Sequence, residues 1–188
     1  MTKFTLHTID TAPAEAKKLL EESEKGFGTI PNLHAVLAEA PGLLEGYKIL
    51  HTLFQSSTFS AEELTVVWQT INVEHECHYC VPAHTMIANM MAVDPRITEA
   101  LRNRAPLPDK QLQVLHETTL LLTRNRGHLT TVETQAFYDA GYNQRHLLEI
   151  ILGLAQKVIS NYVNHLAETP TDSRFEEFAW VSDSHQAK

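Results

Sequence analysis

The chain has 188 residues, of which 23 are acidic and 15 are basic, so its formal net charge is −8. A chain of this length buries most of its unfolded surface, so its core needs no disulfide or structural metal. No basic stripe is present to neutralise phosphates, which excludes a typical nucleic-acid-binding protein. No apolar run is long enough to span a membrane. Residues 1–7 lack the apolar region of a secretory signal, so the expected location is the cytoplasm.

The first third of the chain shows helical periodicity interrupted by glycine and proline. Apolar residues at helical spacing predict three helices, over 13–24, 33–39 and 43–54. Asp10 or Thr11 is a candidate N-cap for the first helix, and Asn32 is one for the second. Pro41 separates the second helix from the third, because proline ends a helix and is tolerated in the first turn of the next.

The same periodicity continues to residue 166. It predicts six further helices: one after Ser60, one from the cysteines to 91, then 95–102, 109–124, 130–141 and 146–166. Ser60 and Glu63 have the spacing of a capping box, and Thr130 and Glu133 repeat it. Asn143 is a candidate cap of the last helix. The last helix carries two apolar stripes, so we expect it either at the centre of the core or in a contact between subunits.

No sustained strand-like alternation occurs, so the sequence predicts an all-α bundle. We expect a single domain over residues 1–188. It would have an N-terminal helical extension over about 1–55, a core over about 56–166 and a tail over 167–188. Within the tail, residues 176–180 are expected to dock weakly and residues 183–188 to fray.

Both cysteines of the chain lie in the segment Glu74–His84, EHECHYCVPAH. Two cysteines cannot form a disulfide framework, so a C-x-x-C pair in a reducing compartment indicates redox chemistry or half of a metal site. On a helix, Cys77, Cys80 and His84 share one face. In the first turn the helix dipole favours the thiolate, and Pro82 is tolerated there. One element thus supplies an attacking thiolate, a resolving thiol and a proton carrier, which suffice to reduce a peroxide.

This segment resembles the C-x-x-C-x-x-x-H signature of the AhpD-like alkylhydroperoxidase/carboxymuconolactone decarboxylase family. Residues 59–63 look like the family's Leu-Ser-Pro-x-Glu helix start, and residues 28–32 with 40–41 resemble its peroxidase-related members. The resemblance spans about residues 28–165. It implies an AhpD-like helical bundle, a homo-oligomer (dimer, trimer or hexamer), and hydroperoxide reduction without haem, flavin or metal. A dithiol protein or a small thiol would re-reduce the site.

The resemblance also implies roles for individual residues. Cys80 corresponds to the attacking cysteine, Cys77 to the resolving cysteine and His84 to the relay histidine. The family relay includes a glutamate at the position that Thr65 occupies here. Glu74, three residues before Cys77, is the first choice of an acidic substitute, followed by Glu76 and Glu63. The expected catalytic residues are therefore Cys80, Cys77, His84 and Glu74.

The character of the pocket follows from the residues near the motif. Trp68, Tyr79 and Val81 predict an apolar pocket, which favours organic hydroperoxides over hydrogen peroxide. His51 lies on an otherwise apolar helix. A histidine in such a position is more often a hydrogen-bonded core residue than part of a pocket.

Three other interpretations stay open. A lyase of the carboxymuconolactone decarboxylase type needs a polar or cationic pocket for a dicarboxylate and does not need Cys77. A redox sensor would form the same disulfide without turnover, and Thr65 in place of the relay glutamate leaves room for it. A metal site would combine Cys77, Cys80 and His84 with a ligand from residues 74–76. Structural zinc sites, however, usually use two separated ligand pairs.

Overall fold

The computed structural model describes residues 4–182, and all the regular secondary structure in this span is helical. The helices are α1 (Ala14–Phe27), α2 (Asn32–Leu37), α3 (Pro41–Gln55), α4 (Ala61–Glu74), α5 (Cys80–Met90), α6 (Pro95–Arg102), α7 (Lys110–Arg124), α8 (Thr131–Asp139) and α9 (Gln144–Ala167). A 3₁₀ segment, Ser173–Phe178, follows α9. The all-α prediction is confirmed. None of the helices in this span is long and apolar enough to cross a membrane.

Side-chain caps fix where several helices begin. Capping boxes start α4 at Ser60 and α8 at Thr130, and Asn143 caps α9, as the sequence pattern predicts. The predicted caps of the first two helices are wrong. Pro13, without a side-chain cap, precedes α1, and the Thr11 hydroxyl instead accepts a hydrogen bond from the Thr8 amide at 2.9 Å.

Helix α4 lies at the centre of the molecule, because it packs against α5, α6, α7 and α9. Every residue from Leu64 to Val73 is buried. One apolar cluster surrounds the fully buried Trp68. A second cluster contains both cysteines and draws Leu33 and Tyr47 from the N-terminal helices. The N-terminal segment therefore forms one wall around the motif.

Helix α9 is buried through a polar face, which the sequence did not predict. The side that faces the core consists of Ile150, Gly153, Gln156, Lys157, Ser160, Asn161 and Asn164. Three large apolar side chains of the predicted stripes are exposed: Leu148, Ile151 and Tyr162. The helix is central, as expected, but its fully buried side is mostly polar, and stripe residues such as Leu152 and Ile159 pack against the core only partly buried. Hydrophobic periodicity locates a stripe on a helix without stating which side the rest of the fold covers.

The tail docks more firmly than expected. Phe175 is buried in the cluster that contains the cysteines. The Arg102 guanidinium donates hydrogen bonds to the carbonyl oxygens of Phe178 and Ala179 at 2.9 and 3.0 Å. The Trp180 indole N–H donates to the carbonyl oxygen of Arg102 at 3.0 Å. Residues 183–188, expected to fray, lie outside the described residues.

Candidate active site

The two cysteines lie at the junction between α4 and α5. Cys80 is the first residue of α5, whereas Cys77 lies in the turn before it. The Cys80 amide donates a hydrogen bond to the Cys77 sulfur at 3.2 Å. The expectation that one helix carries all three motif residues is therefore wrong for Cys77. Its sulfur still meets the N-terminus of α5, where backbone amides and the helix dipole favour negative charge.

Only one of the two sulfur-bearing residues faces open space. Cys77 is 0% exposed and Cys80 is 2% exposed. Cys80 lines a cavity of about 480 Å³, and Cys77 does not contribute to its lining. Helices α3 and α5 form most of the wall, with Lys157 of α9 and the 3₁₀ segment completing it. A molecule in this cavity would meet Cys80 first.

Polar side chains from α9 reach the sulfur atoms. The Asn164 side-chain amide donates to the Cys80 sulfur at 3.2 Å and lies 4.0 Å from the Cys77 sulfur. Burial by itself raises the pKa of Cys80. A hydrogen bond from Cys77, the positive charge of Lys157 and hydrogen bonds from two asparagines outweigh burial and lower this pKa to about 5. Burial raises the pKa of Cys77 well above its usual value, and its hydrogen bond with Cys80 adds to the rise. Cys80 is therefore the residue that carries the thiolate.

His84 forms a buried pair with Lys157. The Lys157 ammonium lies 2.9 Å from His84 Nε2. Burial, followed by the charge of Lys157, holds the pKa of His84 well below its usual value, so the ring is neutral. An ammonium can only donate, so Nε2 accepts this hydrogen bond and Nδ1 carries the ring proton. His84 Nδ1 is buried and has no hydrogen-bond partner.

A chain of amides holds the first turn of α5 in place. The Asn161 amide donates to Asn72 Oδ1 at 3.0 Å, and the Asn72 amide donates to Gln69 Oε1 at 3.0 Å. Gln69 in turn donates to the carbonyl oxygen of Val81 at 3.1 Å. Because each member is satisfied by the next, the network fixes the backbone that carries Cys80 relative to α4 and α9.

The aromatic wall of the cavity differs from the prediction. Tyr79 lines the cavity, but Trp68 and Val81 are fully buried and do not. His51 does line it and stacks on Trp68 with ring centroids 5.4 Å apart. His51 Nδ1 is buried without a hydrogen-bond partner. The interpretation of His51 as a hydrogen-bonded core residue is therefore not supported, and we assign it to the cavity.

Comparison with known proteins finds solved structures that have the same fold. No family model and no curated protein matches the sequence. A peroxidase-related protein from Ralstonia eutropha JMP134, described as an alkylhydroperoxidase AhpD core, aligns with a TM-score of 0.80. The alignment covers 92% of this chain and 93% of that one at 16% identity. The chain has the AhpD-like fold.

Two other solved structures share the AhpD-like fold. A peroxidase-related protein from Silicibacter sp. TM1040 aligns with a TM-score of 0.76 at 20% identity, covering 93% of this chain and 95% of that one. A cysteine-to-alanine variant of the debrominase Bmp8, in complex with 2,3,4-tribromopyrrole, aligns with a TM-score of 0.76 at 14% identity. That alignment covers 94% of this chain and 95% of Bmp8.

The resemblance implies a relay glutamate at position 65, and the structure has threonine there. The Thr65 hydroxyl donates to the carbonyl oxygen of Ala61 at 2.9 Å and is buried. The expected substitute, Glu74, is paired with Arg124 at 2.7 and 2.8 Å. The structure thus places Cys80 and His84 in the lining of one cavity, with Cys77 beside Cys80, but directs the Glu74 carboxylate to α7. The ionisable partner of His84 is a lysine from another helix.

Sequence reasoning missed Lys157 and Asn164, although a signal for both was present. Residues 150–167 contain no aspartate, glutamate or arginine, and Lys157 is their one lysine. Gln156, Ser160 and Asn161 extend it into a polar stripe at helical spacing, and Asn164 lies at the end of that stripe. A polar stripe on an otherwise apolar helix indicates a buried polar site as well as it indicates a solvated face.

The fourth ligand of the alternative metal site is not assembled. His75 Nδ1 lies 2.9 Å from Asn161 Oδ1, and Glu74 is bound to Arg124. Over residues 4–182, no group of three or more His, Cys, Asp or Glu side chains is placed to hold a metal ion.

Proposed function

We propose that this protein reduces organic hydroperoxides by thiol chemistry. Cys80 would be the attacking residue and Cys77 the resolving residue. The observation that carries the proposal is the placement of Cys80, which alone of the two cysteines faces the cavity and whose pKa is lowered to about 5. A thiolate at the end of an accessible cavity, with a second thiol directly behind it, is what peroxide reduction requires.

In the first step the Cys80 thiolate attacks the terminal peroxide oxygen. An S–O bond forms and the O–O bond breaks, so the sulfur is oxidised to a sulfenic acid and the peroxide is reduced to an alkoxide. The alkoxide needs a proton, and the Lys157 ammonium supplies it. Burial lowers the pKa of Lys157, which makes it a better acid. His84 Nε2 accepts a hydrogen bond from this ammonium and holds it in place.

In the second step Cys77 closes the disulfide. Its sulfur attacks the Cys80 sulfenic sulfur, the S–S bond forms, and hydroxide leaves with the thiol proton as water. The raised pKa of Cys77 keeps this thiol protonated while Cys80 is the thiolate, which separates the two roles. A dithiol protein or a small thiol then reduces the disulfide and completes the cycle.

The test compares two single variants with the wild type. We expect Cys80→Ser to abolish consumption of cumene hydroperoxide. Cys77→Ser should reduce one equivalent and stop with a sulfenic acid on Cys80, detected by dimedone labelling and mass spectrometry. Full turnover by Cys80→Ser would contradict the proposal. Disulfide formation in the wild type without repeated turnover, with dithiothreitol present, would favour the redox sensor.

A second candidate function is reductive debromination of an aromatic ring. The supporting observations are the AhpD-like debrominase Bmp8, solved with 2,3,4-tribromopyrrole, and the aromatic side chains that line the cavity here. An aryl bromide and two thiols would give the hydrogenated ring, a disulfide and hydrogen bromide. Bromide release from 2,3,4-tribromopyrrole in the presence of dithiothreitol, absent in Cys80→Ser, would support this function.

The same variants distinguish a lyase from a peroxidase. It expects a cationic pocket, and basic side chains do line the cavity. It does not use the cysteine pair as a redox couple, however. Decarboxylation of carboxymuconolactone that persists in Cys77→Ser, without any peroxide consumption, would favour the lyase.

A further inference from the structure

The cavity in front of Cys80 differs in charge from the rest of the protein. The chain is acidic overall, yet the charged side chains that line this cavity are Lys48, Lys157 and Arg174. None of the described residues in the lining is an aspartate or a glutamate. A lining with one sign of charge concentrates ligands of the opposite sign. The cavity therefore favours an anion.

Two of the three cations already have a partner. The Lys48 ammonium lies 3.0 Å from a carboxylate oxygen of Glu22 and donates to the carbonyl oxygen of Leu19 at 2.7 Å. Lys157 is fully buried, contacts His84 and stabilises the thiolate. These two positive charges are therefore committed within the protein.

Arg174 differs from them. Its Nη1 donates to the carbonyl oxygen of Phe27 at 3.0 Å, and its guanidinium lies over the rings of Phe27 and Phe175, at 5.8 and 5.3 Å from their centroids. These contacts hold the guanidinium in place. Its Nε is buried without an acceptor, and no carboxylate within residues 4–182 forms an ion pair with it. A carboxylate is the acceptor that an unsatisfied guanidinium binds best.

Apolar side chains make up much of the rest of the lining. Phe27 is 47% exposed and Met90 is 76% exposed, so they mark the mouth of the cavity, while Cys80 and His84 are buried at its floor. Met86, Ile87 and Leu33 also line the cavity. A ligand that fills it needs an apolar body between an anionic end and a reactive end.

The histidines of the cavity do not supply the positive charge. Burial, followed by the nearby charge of Lys48, lowers the pKa of His34 to about 3. Burial and the charge of Lys157 lower the pKa of His51 to about 4. Both rings are neutral at physiological pH, so the lysine and arginine side chains attract the anion. Titration of these two histidines therefore does not change that attraction between about pH 6 and 8.

We propose that the substrate of this site is the hydroperoxide of an organic acid, whose carboxylate binds Arg174 at the mouth while its O–O bond reaches Cys80. This inference rests on the proposed peroxidase function and adds the substrate class. Arg174 is a binding residue that selects the substrate and takes no part in the transfer of oxygen.

The test uses a matched pair of substrates, cumene hydroperoxide with a para-carboxylate and the methyl ester of that compound. For the wild type we expect kcat/KM to be about 10- to 100-fold higher for the acid, mainly through KM, because hydrogen bonds to charged groups have this effect. Arg174→Met should lose the preference, because its kcat/KM for the acid falls to that for the ester. Arg174→Lys should keep part of it. Lys110→Gln, which removes an exposed charge outside the cavity, is the control for net charge.

Equal kcat/KM for acid and ester in the wild type would overturn the inference, as would a preference that survives in Arg174→Met. In either case turnover of the ester leaves the peroxidase function standing. If neither compound nor cumene hydroperoxide is turned over, the proposed function fails instead. Calorimetry of Cys80→Ser with the alcohol product of the acid, and with its methyl ester, then tests anion selection without chemistry. Equal affinity for the two would overturn the inference there as well.

Discussion

At the scale of single residues, the chemistry of the site depends on charge balance around one sulfur. Burial alone would keep Cys80 protonated, as it does Cys77. The difference arises because a hydrogen bond from Cys77, the charge of Lys157 and a hydrogen bond from Asn164 lower the pKa of Cys80, and the last two residues come from a helix far away along the chain. A buried cation and hydrogen-bond donors stabilise the thiolate more than the thiol.

The Lys157→Met variant tests this balance. Loss of the ammonium removes the charge that favours the thiolate, so the pKa of Cys80 should rise from about 5 toward or above the free value of roughly 8.5. Hydroperoxide reduction at neutral pH should fall by about 100-fold, because the thiolate and the proton donor are lost together. The pH dependence of iodoacetamide alkylation in a Cys77→Ser background measures the pKa. An unchanged alkylation midpoint would contradict the assigned role of Lys157.

The pH profile of the wild type is a second prediction at this scale. The thiolate is the reactive form and exists above its pKa, so kcat/KM for cumene hydroperoxide should rise through about pH 5. It should then fall at higher pH as Lys157, the proton donor, loses its proton at a pKa that burial lowers, while His51 and His84, whose pKa values are lowered, add no inflection near neutral pH. Steady-state rates in buffers of constant ionic strength measure the profile. A rise centred near pH 8.5 would show that Cys80 is not activated.

At the scale of elements, α9 is the helix that assembles the site. It packs against α2, α3, α4 and α5, and it brings Lys157 and Asn164 to the cysteines. Its approach to α3 depends on Gly153. A Cβ atom at Gly153 would lie 2.8 Å from the ring of Phe54, which is fully buried and has no room to move.

Substitution of Gly153 by alanine should therefore destabilise the fold despite the higher helix propensity of alanine. The steric overlap should outweigh the propensity gain and lower the free energy of unfolding by about 1–3 kcal/mol. Gly46→Ala on α3 is the matched control, because nothing lies within 4 Å of a Cβ atom there. That variant should gain up to about 1 kcal/mol. Urea denaturation measures the change in the free energy of unfolding for both variants. A Gly153→Ala variant more stable than the wild type would contradict the packing argument.

At the scale of the whole molecule, segments distant in sequence close around the motif. The Tyr79 hydroxyl donates to the Asp172 carboxylate, and the same carboxylate accepts the Asn32 amide at 3.2 and 3.3 Å. The Leu33 amide donates to the Tyr79 hydroxyl at 3.3 Å. The start of α2, the residue before Cys80 and the tail are thus joined at one point. The docked tail completes the cavity wall and carries Arg174.

The homo-oligomer stays a prediction, and the outward face of α9 is where we expect the contact. Leu148 is 71% exposed and Ile151 is 41% exposed, one turn apart. Leu148→Glu combined with Ile151→Glu should reduce the assembly to a smaller species, because buried charges oppose association. Val132→Glu, at a side chain that is 79% exposed on α8, is the control. Analytical ultracentrifugation measures the mass, and an unchanged oligomer in the α9 variant would place the contact elsewhere.

Local patterns were sufficient for the helices and for part of the site. Ser60, Thr130 and Asn143 cap helices as predicted, because capping depends on residues only a few positions apart. The spacing of Cys80 and His84 places both on α5 for the same reason. Glu74 was chosen by its distance along the chain. The structure pairs it with Arg124, fifty residues later, because side chains interact across space.

The sequence by itself determined an all-α protein with Cys80 and His84 on one helix and Cys77 shortly before it, since helix periodicity, capping and motif spacing are local properties. Only the tertiary structure decided that Cys80 faces the cavity, that Lys157 takes the place beside His84, and that Arg174 returns from the tail to its mouth. These depend on which sides of α3, α5 and α9 face one another. The packing of the whole chain determines how these helices face one another, and the sequence of a single segment does not specify it.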